Sequence, residues 1–396
     1  MQIHIKSHGE TIKDIAEKYS VSEENIRMIN ELYCGEPADG EELLILTPTR
    51  SYTVQYGDTT DRIALRFRVR HSDIYTLNPW INEKDITPGQ TLTLKCSAPT
   101  KGMAVANGYF YNGCSKEALK RVMPYLTYVT FAVGLADEGG VRVSNDLSAE
   151  IQMAKDEKKI PLLRVYDMYT ERYKNKCDLP SYAEELIAAA QSRGYKGLVL
   201  DACPVGDSAE EFSSFLIILR KLMIGCDLIL ITETNEKSPI NFSEFADGSV
   251  IYYPKYAMKN PPSFIEGEKK ILSDFACIGE SAKAFVDLPS LAMGEREFLT
   301  IKDAMQKARR EGCNIEHNES TLFSHFRDRK QGEYCFSSLR NIKAILELIS
   351  DYDYMGICFD IMRTPLSHLM MYNAMFKTHY YNSVRTREGC SHAGEE

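Results

Sequence analysis

A chain of 396 residues that is 44% apolar and 26% charged has the composition of ordinary globular protein and room for two to four domains. Its formal net charge of -9 provides no cationic footprint for phosphates, which sets nucleic acid aside as a partner. Eleven cysteines, none at C-x-x-C spacing, read as reduced, mostly buried thiols rather than a zinc or redox site, and no run of about 18 apolar residues offers a membrane span, so neither a metal or other cofactor nor membrane insertion is expected.

In chain order, Met1-Gln2-Ile3-His4-Ile5 lacks the basic segment and apolar run of a secretory signal, so synthesis and folding in the cytoplasm are expected. The chain then repeats itself. At an offset of 48, Gly9 aligns with Gly57, Thr11 with Thr59, Ile15 with Ile63, Ala16 with Ala64, Ile26 with Ile74 and Asn30 with Asn78. Each copy reads strand, helix, helix, strand: Tyr52 to Tyr56 alternates as a half-buried strand, Gly57-Asp58-Thr59 turns into a helix N-terminus, and Ile63, Ala64 and Phe67 recur at helical spacing. Asn78-Pro79 ends the second helix, because a residue before proline is pushed out of the helical region, and Leu92-Thr93-Leu94 closes the sheet.

Gly-Glu-Thr or Gly-Asp-Thr after the first strand, Ile-Ala in the first helix, Asn closing the second and a final Pro-Gly-Gln-Thr-Leu resemble the LysM domain, twice in register: module 1 over residues 1–47 and module 2 over residues 50–96. The resemblance implies binding of N-acetylglucosamine units of peptidoglycan or chitin-type oligosaccharides, in a shallow groove between the first strand-helix loop and the second helix-strand loop. Carried onto this chain, the groove uses Gly9, Glu10, Thr11 and Asn30 in module 1, and Gly57, Asp58, Thr59, Asn78 and Pro79 in module 2. From the residues alone, Thr11 and Thr59 serve equally well as helix N-caps. Module 1 departs from the pattern at Tyr33-Cys34-Gly35-Glu36-Pro37, which makes it the expected weaker binder.

After a linker over residues 97–102, apolar strands alternate with helical stretches across residues 103–380, the signature of an α/β fold. Eight strands are predicted: Ala104 to Phe110, Leu126 to Val133, Ile160 to Tyr166, Gly197 to Asp201, Leu228 to Thr232, Ser249 to Tyr253, Lys283 to Leu288 and Met355 to Phe359. About 280 residues suit a (β/α)8 TIM-type barrel with one modest insertion, and the absence of G-x-G-x-x-G argues against a doubly wound sheet. The polar residues 381–396 read as a disordered tail.

Asn107-Gly108-Tyr109-Phe110, Tyr125 to Phe131, Gly194 to Asp201 and Gly356 to Phe359 resemble the first, second, fourth and eighth strands of glycoside hydrolase family 18, in particular its LysM-bearing bacterial branch with spore-cortex N-acetylglucosaminidases. That family uses a D-x-D-x-E run at the end of the fourth strand: the Glu protonates the glycosidic oxygen, and the Asp before it orients the substrate's N-acetyl group, whose carbonyl is the nucleophile. Here Val199, Asp201 and Cys203 stand at those three places. A thiol with an ordinary pKa of about 8.5 is poorly matched to a general acid's task. Asp360 stands where the family's eighth-strand Trp floors the sugar site, and Tyr252-Tyr253-Pro254-Lys255 replaces the Tyr-Asp pair of the sixth.

These departures give the first expectation, a glycan binder with a family 18-like barrel that has lost hydrolysis, in effect a pseudoenzyme of the spore or cell wall. One alternative is a divergent glycosidase that acts on peptidoglycan or spore cortex with Asp201 and a replacement acid, Glu233; the other is a spore or cell-envelope scaffold with protein partners. Carboxylates Asp167, Asp201, Glu233, Asp287 and Asp360 fall at predicted C-terminal strand ends, where barrel active sites sit, and Tyr109, Phe131, Tyr166 and Tyr253 are placed to line the cleft with Cys203. The blander assignment has the carboxylates capping helices or pairing with Arg164 and Arg363.

Overall fold

The computed structural model describes residues 1–33, 35–82, 85–97, 101–137, 140–144, 146–167, 179–201, 209–234, 245–251, 263, 266–278, 281–295, 297–330 and 332–378. Residues 381–396, read as a tail, lie outside this set, as do Cys203 and Tyr253.

Each repeat forms the expected βααβ unit. In module 1, β1 (Gln2–Ile5) pairs antiparallel with β2 (Glu42–Ile45), with α1 (Ile12–Tyr19) and α2 (Glu23–Ile29) between them. Module 2 repeats this with β3 (Pro48–Thr53), α3 (Thr60–Phe67), α4 (His71–Leu77) and β4 (Thr91–Cys96). The same chemistry bounds both first helices. Thr11 and Thr59 accept the backbone N–H three residues on, and α1 and α3 end at Ser20 and Arg68, both left-handed with φ of 54° and 53°. Ile12, Ile15, Ile26, Leu32, Leu43 and Ile45 fill the core of module 1; Val54, Ile63, Ile74, Ile81, Leu92 and Leu94 fill that of module 2.

The barrel begins with β5 (Gly102–Tyr111), followed by α5 (Lys116–Val122) and β6 (Tyr128–Asp137), which turns back as the antiparallel β7 (Gly140–Val143). Then come α6 (Ser148–Asp156), β8 (Ile160–Asp167), α7 (Leu179–Ser192), β9 (Gly197–Asp201), α8 (Ala209–Met223), β10 (Ile229–Thr234), β11 (Gly248–Ile251), α9 (Glu268–Ile278) and β12 (Ala284–Asp287). An inserted unit follows: β13 (Leu291–Gly294), β14 (Phe298–Thr300), α10 (Ile301–Glu311), β15 (Glu316–His317), β16 (Phe323–Arg327) and β17 (Glu333–Ser337) make a five-stranded antiparallel sheet in the order 14-13-17-16-15, covered by α10. The barrel resumes with α11 (Leu339–Asp351), β18 (Gly356–Asp360) and α12 (Leu366–Met375), and β19 (Phe376–Thr378) pairs with the start of β5. Strands β5, β6, β8, β9, β10, β11, β12 and β18 pair in parallel in that order, and β18 pairs back onto β5, closing an eight-stranded barrel.

Alternation along each strand separates two faces. Val105, Tyr109, Tyr128, Leu162, Val199, Ile231, Val250, Phe285 and Cys358 fill the lumen, while their neighbours, among them Phe110, Val129, Phe131, Leu163, Leu198, Leu200 and Phe359, pack outward under the helices. The barrel is therefore a filled core rather than a pore, and sites on such barrels form at the C-terminal rim.

The modules dock differently. Module 1 is built into the barrel and its insertion: Ile29, Leu44 and Leu46 join the barrel's outer core, and Ala38 joins the core of the inserted sheet. Arg309 donates to both carboxylate oxygens of Glu41 at 2.6 and 3.0 Å and to the carbonyls of Asn30 and Glu31, and Arg340 donates to Glu42 at 2.6 Å. Ile315 N–H donates to the Asp39 carbonyl, beside Gly40, whose φ of +76° and close approach to the Ile315 carbonyl leave no space for a side chain. Module 2 keeps a core of its own, touching the barrel through contacts such as the Tyr125 hydroxyl donating to the Thr76 carbonyl at 3.0 Å.

Among the described residues no helix is long and apolar enough to cross a membrane. The seven described cysteines are all unpaired thiols, but only Cys313 and Cys358 are buried. The expectation of mostly buried thiols is corrected on that point: Cys96, Cys114, Cys226 and Cys335 sit at half-buried boundaries and Cys277 is exposed.

Candidate functional site

Two regions gather the residues singled out in the sequence: the C-terminal rim of the barrel and the turns of the LysM modules.

At the rim, register places Glu233 beside Asp201 on adjacent strands, and Arg164 beside Val199 one strand further round. Glu233 is fully buried, at 0% exposure, and its oxygens accept from Arg164 Nε at 2.6 Å, from an Arg164 terminal nitrogen at 2.5 Å and from the Tyr109 hydroxyl at 2.9 Å. The Arg164 nitrogen that meets Glu233 also donates to Asp201 at 3.1 Å, and its guanidinium lies 3.6 Å from the centre of the Tyr166 ring. Tyr111 stacks on Tyr109 with ring centres 5.9 Å apart; burial, reinforced by the Asp287 carboxylate, pushes its hydroxyl pKa well up, so it stays protonated. Burial likewise raises Tyr166, against the pull of Arg164. Below them Thr130 donates to Asn107 at 2.8 Å, and burial raises the Cys358 thiol far above its ordinary range.

This arrangement fixes both Glu233 oxygens in place. A charge-assisted bidentate pair with arginine, completed by a tyrosine hydroxyl, engages the oxygens that a general acid would offer, protonated, to a leaving group. Asp201 is less enclosed and shares the same arginine. Asp360 accepts from the N–H groups of Met362 and Arg363 at 2.8 and 3.0 Å and pairs with the Arg363 guanidinium at 3.3 Å, so it closes its own turn. Asp287 ends β12 beside Tyr111. Asp167 ends β8, and its side chain lies outside the described set.

Phe131 requires a correction. Tyr109 is in register with Thr130, and it is Thr130 that faces the lumen; Phe131 points outward and packs against Phe110 and Tyr195 at 5.3 and 5.8 Å. It belongs to the interface between strands and helices, not to the cleft. Val199, at the first position of the carboxylate run, is wholly buried among apolar lumen residues. Among the described residues, no group of three or more His, Cys, Asp or Glu side chains is arranged to hold a metal ion.

In the modules, Gly9 and Gly57 turn at φ of +74° and +83°. Glu10 accepts from the Ser7 N–H and bonds His4 Nε2, both at 2.9 Å; Asp58 accepts from the Gln55 N–H at 2.8 Å and the Tyr52 hydroxyl at 2.6 Å. Burial works to raise the Glu10 pKa, but these bonds outweigh it and hold the carboxyl below its usual range; at Asp58 the Tyr52 bond leads the same effect. The two acids therefore staple equivalent turns, and the two threonines cap the helices that follow.

Asn30 and Asn78 also require correction as groove residues. Each is buried and spends its amide on the fold: Asn30 donates to the carbonyls of Ile26 and Leu44 and accepts from the Leu44 N–H, and Asn78 does the same with Ile74 and Thr93. They clamp the second helix to the closing strand, so both amide hydrogens of each serve the fold. Pro79 opens a short 3-10 turn, Pro79–Asn82, that sends Ile81 into the core. Residues that sequence reasoning passed over stand on the turns themselves. Tyr56 is 97% exposed, and its counterpart at the offset of 48 is His8.

The LysM domain family matches residues 7–45 and 52–95. A curated relative, the candidate sporulation-specific glycosylase YdhD of Bacillus subtilis (strain 168), is 25% identical over 232 residues, which are 56% of this chain and 55% of that one; the chain thus spans about half the length of the curated relative it matches. Among solved structures, the spore cortex-lytic enzyme SleL of Bacillus megaterium QM B1551 superposes with a TM-score of 0.73 at 17% identity, covering 96% of this chain and 99% of that one. SleL of Bacillus cereus gives 0.74 at 17% identity, with the same coverage of 96% and 99%. A chitinase from Chromobacterium violaceum ATCC 12472 gives 0.61 at 16% identity over 68% of this chain and 98% of its own. The chain therefore carries two LysM domains and a TIM-type barrel of the fold found in these spore cortex-lytic enzymes and chitinases, the fold that the family 18 resemblance implies.

Proposed function

We propose that this protein binds N-acetylglucosamine-containing glycans of the spore or cell wall, and that its barrel does not hydrolyse them. The observation that carries the reading is the state of the fourth-strand run: Val199 is buried in an apolar lumen where the resemblance calls for a carboxylate, and Cys203 stands at the acid's position in the sequence. Support comes from Glu233, the residue best placed by sequence to replace the acid, which is tied to Arg164 and Tyr109. Losing a general acid alone removes on the order of 10²–10⁴ in rate. The paired LysM domains supply the binding half of the proposal, and weak sites on one chain gain from effective concentration on a repeating polymer. The relatives point to bacterial spores as the setting.

Co-sedimentation of the purified chain with insoluble peptidoglycan tests the binding half, and product analysis of the same mixtures tests the other. Retention on the polymer without released fragments fits the proposal. Failure to sediment, combined with capture of other proteins in a manner indifferent to sugars, would favour the scaffold reading.

A further inference from the structure

We infer that the two LysM modules have divided their work: module 2 is the glycan reader, with the exposed ring of Tyr56 as its sugar-stacking platform, and module 1 is a fixed strut whose own groove is closed by Glu36. The inference rests on the glycan-binding reading above and goes beyond it in assigning the site to one module and naming its contact residue.

The closure of module 1 is visible in its bonds. Ile12 is the first residue of α1, where a backbone N–H has no partner within the helix. Glu36, from the loop after α2, reaches across and accepts that N–H at 3.0 Å, and Arg27 holds it there with bonds of 2.6 Å to its carboxylate and 2.8 Å to the neighbouring Gly35 carbonyl. The carboxylate thus spans the two loops between which a sugar would lie. It satisfies the helix N-terminus with a charge-assisted bond, which a neutral sugar hydroxyl or amide cannot match. On the other loop His8 is tethered to Asp39 at 2.6 Å, and Asp39 also holds Lys6. Beyond the groove, module 1 is committed to the fold: three of its apolar side chains belong to the barrel's core, and Arg309 and Arg340 grip Glu41 and Glu42.

Module 2 differs from this among its described residues. At the position of Ile12 stands Thr60, and among the described residues no carboxylate reaches its backbone N–H. The apolar core of module 2 contains no barrel residue. Where module 1 has His8, module 2 has Tyr56, 97% exposed beside the left-handed Gly57. A large ring in that position contributes nothing to packing. Its electron-rich face suits the weakly positive C–H face of a pyranose, and the adjoining turn and helix start supply polar groups for hydroxyl and acetamido substituents.

The test is calorimetric titration of the full-length chain with N-acetylglucosamine hexamer, comparing wild type, Tyr56→Ala and Glu36→Ala. The expected result is one site per chain, a loss of affinity of about tenfold or more in Tyr56→Ala, and none in Glu36→Ala. Tyr56 is a solvent-facing side chain, so an unchanged Tm shows that its variant is folded. Two equivalent sites in the wild type, or binding that Tyr56→Ala leaves intact, overturns the division of work while the glycan-binding reading stands. No binding of the hexamer or of insoluble peptidoglycan by any of the three proteins removes the glycan-binding reading, and this inference with it.

Discussion

Arg164 and Glu233 meet near the C-terminal rim of the barrel through two hydrogen bonds of 2.5 and 2.6 Å, with Glu233 fully buried. Two ions removed from water cost more to separate than to delete together. Arg164→Met is therefore expected to destabilise the protein by about 3–5 kcal/mol, because it strands a buried carboxylate, and Arg164→Met combined with Glu233→Met should recover most of that loss. Urea unfolding of the two single variants and the double variant measures the coupling. Additive losses would show that the pair is not a unit.

Gly40 is where the backbone of module 1 touches the inserted sheet. A β-carbon there would lie 1.9 Å from the Ile315 carbonyl oxygen, at a φ of +76° that side chains already disfavour. Gly40→Ala is expected to cost at least about 2 kcal/mol and to loosen module 1 from the barrel. A fall in Tm with new protease cleavage around residues 36–47 is the predicted outcome.

Asn78 gives module 2 three side-chain hydrogen bonds, all of them buried. Asn78→Ala leaves the Thr93 N–H and two carbonyls short of partners and is expected to cost about 2–4 kcal/mol, concentrated in module 2. Hydrogen exchange should show faster exchange in α4 and β4 with the barrel strands unchanged.

Glu268 is half-buried at the start of α9; burial pushes its carboxyl up to about 7, and a bond from the Asn341 amide pulls only partly the other way. The folded state therefore keeps a proton that the unfolded chain has already released. Stability from this group is full below about pH 4.5 and is lost as pH rises through about 7. Glu268→Gln should match wild type near pH 4 and be more stable near pH 8, by about 1–2 kcal/mol once partial solvent contact is allowed for. Unfolding curves at the two pH values check both the sign and the window.

The strands of the barrel were legible because each is a short apolar run at the expected spacing, and Gly197–Asp201 is observed with the bounds read from sequence. Faces were harder. In Tyr128 to Val133 both sides of the strand are buried, so composition does not say which residue looks inward, and Phe131 fell on the wrong side by one position. The helix at Ile301 was legible, but its partner was not: the same apolar stripe fits a barrel wall or the inserted sheet, whose strands of two to five residues carry little pattern of their own. The repeat pointed to Asn30 and Asn78 without revealing that both amides turn inward. Which carboxylate takes Arg164 depends on register between β8, β9 and β10, and that is settled only when the barrel closes.

That the protein binds these glycans while its barrel leaves them uncut is tested most directly by product formation from N-acetylglucosamine oligomers and peptidoglycan fragments by the wild type, Asp201→Asn and Cys203→Glu. The expected result is no products from the wild type or from Asp201→Asn, undiminished binding in both, and hydrolysis only where Cys203→Glu restores an acid. Clear hydrolysis by the wild type that disappears in Asp201→Asn would contradict it, and would show that a new acid serves the site.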